Sequence, residues 1–155
     1  MLRDIKYGLN KVVHANYKAA QSMKTGVAVV IDETTGKFDY PATATGVNVY
    51  FVDKERIATG YKAGFSNLSD YEDVYVNVAE GEFAKLKAFA YGDEFATDIE
   101  GTPTVGKVVA FSSTGVADAT GDSMYEYIGE YNDAGHILKH FKVLQAPKKN
   151  SWLRI

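Results

Sequence analysis

The chain has 155 residues and no cysteine, and its 17 basic and 20 acidic residues give a formal net charge of −3. This length suits one domain that buries roughly 70% of its unfolded surface, and the lack of cysteine excludes disulfides, thiolate nucleophiles and zinc–thiolate sites. Charges of both signs are interspersed, no apolar run approaches the roughly 20 residues of a membrane span, and the start leads into no secretory apolar region. We therefore expect synthesis in a cytosol, with neither nucleic acid nor membrane as partner.

Residues 1–22 are predicted to form an N-terminal arm that differs from the rest of the chain. Apolar residues recur there at helical spacing: Leu2, Ile5, Leu9 and Val12. Gly8 and Asn10 weaken a helix, and no nearby stretch offers it a face to pack on. One interpretation is a docked or frayed terminal helix, and the other is an extended arm that becomes ordered on a neighbouring subunit. Tyr7 adds to an apolar content that is higher than a free tail needs.

From residue 23 the sequence indicates a β domain that continues to residue 145. The apolar run within residues 25–31 (TGVAVVI) predicts a strand buried on both faces, and turn formers at 32–36 (DETTG) end it. Residues 37–40 return along that strand. Residues 46–52 (GVNVYFV) predict the next one.

The stretch from 74 to 111 contains short apolar segments separated by Gly-Asp, Gly-Glu and Gly-Lys, which is typical of small antiparallel β structure. Alternating valines across 74–78 predict a half-buried strand. Residues 83–91 fit a strand or a short helix. We favour the strand, because Gly81 and Gly92 bracket the segment at hairpin spacing and no serine or threonine N-cap precedes it.

Aromatic residues are abundant, with 11 tyrosines and 8 phenylalanines, and such residues are enriched in interfaces but also fill β cores. Residues 60–73 are predicted to form a long exposed loop of polar turn formers around three aromatics: Tyr61, Phe65 and Tyr71. These three either anchor a partner or fold back on their own domain.

The last third of the chain contains a predicted loop and a predicted hairpin. Residues 112–123 (SSTGVADATGDS) are small and polar throughout and predict a wide surface loop. Residues 124–131 and 136–144 predict two strands, and residues 132–135 (NDAG) predict the turn between them.

Residues 146–155 are predicted to form a C-terminal tail. Pro147 disfavours a continued sheet, and two lysines come directly after it. Trp152 and Leu153 make the end apolar again. We interpret these residues as an apolar end that docks on a protein surface and is joined to the domain by a basic segment.

The side chains that could carry chemistry do not form a recognisable site. His136 and His140 stand four apart on a predicted strand, which separates them by roughly 13 Å, too far to share a metal ion. Asp118 and Asp122 lie in the predicted loop, and their spacing matches no EF-hand. No Gly-x-Ser-x-Gly elbow and no phosphate-binding glycine motif occurs. We predict no catalytic residue, no metal and no cofactor.

Short glycine-based motifs succeed one another in a recognisable order: MKTGVAV (23–29), GK (36–37), PA (41–42), GEFA (81–84), GDEFATD (92–98), VGKV (105–108) and IGE (128–130). Over about residues 23–144, this order resembles the small β-rich head decoration, or cement, proteins of tailed bacteriophages. The resemblance implies a protein that binds the outside of an icosahedral capsid at junctions between major capsid subunits. It also implies that the protein stabilises the capsid against internal pressure, commonly as a trimer or dimer.

The sequence therefore predicts a small antiparallel β-barrel or sandwich with an extended or helical N-terminal arm, and a non-enzymatic role. The expected partner is the major capsid protein, and the expected location is the capsid surface of a virion assembled in a bacterial cytoplasm. The alternatives are another phage structural component, such as a tail-tube or head-completion protein, and a carbohydrate-binding β module. The predicted partner-binding residues are apolar side chains of the arm, the 60–73 loop and the tail: Leu2, Ile5, Tyr7, Leu9, Tyr61, Phe65, Tyr71, Trp152 and Leu153.

Overall fold

The computed structural model describes residues 1–6, 11–13, 16–54 and 76–150, with the backbone alone for 11–13. The strands within these ranges are β1 (Leu2–Lys6), β2 (Lys11–Val13), β3 (Lys18–Ala19), β4 (Met23–Lys24), β5 (Ala28–Asp32), β6 (Lys37–Asp39), β7 (Tyr50–Asp53), β8 (Asn77–Val78), β9 (Lys85–Ala88), β10 (Glu94–Thr97), β11 (Val109–Ser112), β12 (Gly115–Asp118), β13 (Ser123–Asp133) and β14 (His136–Lys148). The mainly β fold predicted from the sequence is confirmed.

The strands form two larger sheets and two strand pairs. The four-stranded sheet has the order β1-β10-β14-β13, and the six-stranded sheet has the order β2-β9-β7-β5-β6-β3. The pairs are β11-β12 and β4-β8. Strands β3 and β6 run parallel, whereas the other ladders are antiparallel. Among the described strands no sheet closes into a barrel, so the predicted β-barrel is not supported.

The main core contains buried aromatic rings from both larger sheets. Phe51 of β7 lies among Phe95 of β10 and Phe111 of β11, with ring centroids 4.8 and 5.3 Å away. Phe141 of β14 lies 5.7 Å from Phe95, and Tyr125 of β13 lies 5.7 Å from Phe51. Since edge-to-face and tilted ring pairs at these distances are favourable, this cluster fixes how the two sheets face each other.

Strand β5 of the six-stranded sheet is buried on both faces, as the apolar run at 25–31 predicts. Ala28 belongs to the main aromatic core, whereas its neighbour Val29 belongs to a second cluster with Phe38 and Leu86. Adjacent residues of a strand point to opposite faces, so β5 serves two cores at once. Met23, from the pair β4-β8, completes the second cluster.

The predicted N-terminal arm is not supported, because the described part of residues 1–22 contains three strands that pair within the domain. Strand β1 pairs with β10 through partners such as Leu2 and Thr97, β2 pairs with β9, and β3 pairs with β6. Helical spacing of apolar residues was misleading here, since a strand that satisfies its backbone by pairing with residues far along the chain gives no local signal.

Two further predictions were wrong in the C-terminal third. Residues 112–123 do not form a wide loop: β11 and β12 pair there as a hairpin, with Phe111 opposite Val116. The tail does not leave the sheet at residue 146, because β14 continues to Lys148, which pairs with Ser123. The pairing of β14 with β10 ends at Lys142. The missing N–H of Pro147 therefore costs no hydrogen bond between β14 and β10. Of the predicted strand across 74–78, only Asn77 and Val78 form a strand within the described residues.

Candidate binding surfaces

The hairpin formed by β13 and β14 is the longest strand pair described. Its turn is the predicted one: Ala134 and Gly135 have φ of 52° and 96°, and Gly135 N–H donates to Asn132 Oδ1 at 2.7 Å. Such positive φ values at both central residues match the twist of a two-residue hairpin. Pairing with β10 ends at Thr97 and Lys139, so the hairpin tip, defined as residues 131–138, extends beyond the β10 ladder.

The hairpin tip exposes apolar side chains on both of its faces. Tyr131 is 36% exposed and Ile137 is 55% exposed. Tyr131 pairs with Leu138, whereas Ile137 pairs with Asn132 in the next position of the ladder. Cross-strand partners share a face and consecutive pairs alternate, so Tyr131 and Ile137 point to opposite sides of the tip.

Two polar contacts tie the hairpin to its neighbours, one to β1 and one to β10. Arg3 Nε lies 2.9 Å from Asp133 Oδ2, and His140 Nε2 lies 2.9 Å from Glu94 Oε1. The Tyr131 ring stands edge-on to His140, with centroids 6.3 Å apart. Partly exposed ion pairs contribute little stability each, about 0–1 kcal/mol, but together these contacts fix the direction of the tip.

A second ionic cluster joins the two larger sheets. Lys87 Nζ of β9 lies 3.1 Å from Asp4 Oδ2 of β1 and 3.4 Å from Asp53 Oδ2 of β7. Burial lowers the pKa of Lys87, but Asp53 and Asp4 together outweigh burial and leave that pKa above its ordinary value. The ammonium therefore stays charged and ties the N-terminal strand to the six-stranded sheet.

The remaining exposed apolar side chains are scattered over other elements. Phe83 is 52% exposed and lies under Lys18, whose Nζ is 5.3 Å from the ring centroid. Tyr91 is 60% exposed beside a shallow groove of about 390 Å³, and Val105 is 63% exposed in a turn. Exposed residues that stand singly need no partner to explain them.

Of the predicted partner-binding residues, the structure describes two. Leu2 is 8% exposed in the main core, and Ile5 is partly buried against the cluster of Met1, Ala96 and Leu138. Leu2 is therefore held inside the domain. The other predicted residues lie outside the described ranges: Tyr7, Leu9, Tyr61, Phe65, Tyr71, Trp152 and Leu153. Sequence reasoning missed Tyr131 and Ile137, although both flank a recognised turn, because each was counted as part of an ordinary strand.

The candidate chemical residues are engaged in structural contacts. His140 is bound to Glu94, and Asp118 accepts hydrogen bonds from the backbone N–H and the hydroxyl of Thr104, at 2.8 and 2.7 Å. Within the described residues no group of three or more His, Asp or Glu side chains is arranged to hold a metal ion. Within the same residues no helix has the length and apolarity needed to cross a membrane.

Comparison with protein-family models, with curated proteins and with solved structures finds no match for this chain.

Proposed function

We propose that this chain is a non-enzymatic structural protein that binds the outer surface of a bacteriophage capsid and stabilises it by bridging major capsid subunits. The observation that carries the proposal is the hairpin tip, which presents Tyr131 on one face and Ile137 on the other. The order of glycine-based motifs, which resembles that of capsid decoration proteins, supports the same role. The protein would act on the virion as a homo-oligomer, a trimer or a dimer.

A tip that is apolar on both faces can contact two neighbouring subunits at once. Tyrosine gives a large contact area at a small cost in side-chain entropy, and isoleucine adds apolar area without a polar group to desolvate. Because the two side chains point in opposite directions, the hairpin fits between two surfaces better than onto one. This geometry suits bridging.

The rest of the domain supports the tip as a rigid body. The aromatic core joins both larger sheets, and Arg3 holds the tip through Asp133. No buried side-chain nitrogen or oxygen atom in the described residues lacks a hydrogen-bond partner. A preorganised element loses little conformational entropy on binding, so more of its contact energy remains as affinity.

Bridging would stabilise the capsid by mass action and by multivalency. A ligand at a hundredfold excess over its Kd stabilises the state that it binds by roughly 2.7 kcal/mol. Several tips of one oligomer would add to this through effective concentration. Since the contacts at the tip are apolar, salt should weaken the attachment only slightly.

The test is to strip the protein from particles, add it back at saturation, and record the temperature of genome release at low and high salt. The wild-type protein should raise that temperature at both. The double variant Tyr131→Asp/Ile137→Asp should fail to raise it, whereas Tyr91→Asp, which changes a more exposed tyrosine elsewhere, should behave as wild type. Circular dichroism of each variant confirms that the fold is kept.

Three outcomes would contradict the proposal. An unchanged release temperature at full occupancy rejects stabilisation of the capsid. A double variant that raises the release temperature as much as the wild type rejects the hairpin tip as the contact. Assembly of the isolated protein into closed rings or tubes, measured by electron microscopy, would favour a tail-tube or head-completion protein instead.

A further inference from the structure

We infer that a cavity between β4 and the turn joining β11 and β12 binds a sugar ring. The cavity has a volume of about 310 Å³, and no residue of the hairpin tip lines it. This volume is at the lower end of the range of ligand pockets, about 300–1,000 Å³. The inference does not depend on the proposed capsid role.

One part of the cavity wall is apolar. Met23 and Ile99 are 5% and 4% exposed, and Tyr40 is half-buried with its ring packed against the second cluster. A pyranose ring has an apolar face of C–H groups, which gains from burial against an aromatic ring and aliphatic side chains. Tyr40 supplies a rigid surface for that face.

Another part of the wall is rich in hydroxyl groups. Ser112 ends β11, Ser113 and Thr114 form the turn to β12, and all three line the cavity. Ser112 Oγ and Thr114 Oγ1 lie 3.0 Å apart, and the Thr114 N–H donates to Ser112 Oγ at 3.3 Å. Each hydroxyl can donate one hydrogen bond and accept others, which matches the hydroxyl edge of a sugar.

Two charged side chains complete the lining of the cavity. Lys24 and Glu100 are exposed at its edge, and neither forms an ion pair with a described residue. A carboxylate that accepts from a sugar hydroxyl makes a stronger bond than a neutral acceptor. The positive charge of Lys24 and the negative charge of Glu100 cancel, so the charged lining gives no net preference for an anion or a cation and suits a neutral polyhydroxylated ligand.

The wall is held in place by a close backbone contact. Val116 N–H donates to Glu100 O at 2.8 Å, and Gly101 and Val116 form a parallel bridge. A β-carbon on Gly115 would overlap the Glu100 carbonyl oxygen, so only glycine allows this approach. The contact fixes Glu100 relative to the hydroxyl-bearing turn, which preorganises the polar groups.

The test uses saturation-transfer NMR with glucose, galactose, mannose and N-acetylglucosamine, each as the free sugar and as the methyl glycoside. We expect at least one sugar to bind. Binding of the methyl glycoside indicates that the natural ligand is the terminal sugar of a glycan. Binding of the free sugar alone indicates that the natural ligand is a soluble sugar. Glu100→Gln should weaken binding roughly tenfold, because a bond to a charged group becomes a neutral one.

Two variants separate the cavity from other surfaces. Tyr40→Ala should abolish binding, and Tyr91→Ala, which removes an exposed ring from another groove, should leave it unchanged. If Tyr40→Ala does not fold, the exposed Glu100→Gln variant still decides the question. Absence of binding to every sugar, or equal binding by wild type and Glu100→Gln, overturns the inference.

The capsid assay separates this inference from the proposed function. Glu100→Gln should still stabilise stripped particles, and the double variant at the hairpin tip should still bind the sugar. Failure of either assay therefore leaves the other conclusion standing.

Discussion

Replacement of Gly115 by alanine tests the close backbone contact between Gly115 and Glu100. Gly115 has a φ of 117°, which side chains rarely adopt, and its added β-carbon would overlap the carbonyl oxygen of Glu100. Relief of that overlap requires the strand to move away from Glu100. Such a movement stretches the hydrogen bond from Val116 N–H to the same oxygen.

The expected loss of stability is the sum of three terms. Strain at a glycine-only φ contributes about 1–3 kcal/mol, and loss of the Val116 hydrogen bond contributes about 1 kcal/mol. The smaller conformational freedom of the unfolded alanine chain offsets about 0.4–1 kcal/mol. Gly115→Ala should therefore lower the free energy of unfolding by about 2 kcal/mol, within a range of about 1–4 kcal/mol.

Two other glycines provide matched controls. Gly106 has a φ of 86° but no atom within 4 Å of an added β-carbon, so Gly106→Ala should lower stability by only about 1 kcal/mol from strain. Gly121 has open space and no positive φ, so Gly121→Ala should be neutral or stabilising by about 0.4–1 kcal/mol. Urea unfolding with a common m-value measures all three. A Gly115→Ala effect no larger than that of Gly106→Ala would refute the reasoning.

Asn150 Oδ1 accepts from Val108 N–H, and its Nδ2 donates to the carbonyls of Val108 and Ala119. Asn150→Ala should lower stability by about 2 kcal/mol in urea unfolding, since buried backbone groups lose partners, and a change below about 0.5 kcal/mol would contradict this. Burial raises the pKa of Tyr125, so above about pH 10 the folded state keeps a proton that the unfolded state releases, and stability should fall as pH rises. Tyr125→Phe should make the thermal unfolding midpoint fall less steeply as pH rises above about 10. The same dependence of the midpoint on pH in the variant and the wild type would exclude Tyr125 as the cause.

Local patterns in the sequence were sufficient for elements whose partners lie nearby. The β13–β14 hairpin was predictable because apolar alternation on both sides surrounds an Asn-Asp-Ala-Gly turn. The strand β5 was predictable because a continuous apolar run is typical of a strand with two buried faces. Both signals depend only on residues within one short window.

Elements with distant partners could not be predicted in the same way. Strand β12 lies in a segment of small polar residues, and its formation depends on Gly115 and Val116 meeting Glu100 and Gly101. Nothing within residues 112–123 indicates that contact. The candidate sugar cavity was equally invisible, since Tyr40 and Glu100 come together only through tertiary packing.

The pairing of β1 with β10 has a consequence for the order in which the chain can fold. Leu2 pairs with Thr97, which lies 95 positions later in the chain. At a synthesis rate of about 5–20 residues per second, β1 waits roughly 5–20 s for its partner during translation. Until then Leu2 has no four-stranded sheet to enter, and the strand has free backbone groups on both edges. Newly made chains therefore pass through a slow, association-prone stage, and lower growth temperature or chaperone supply should raise the yield of folded protein more than stronger expression does.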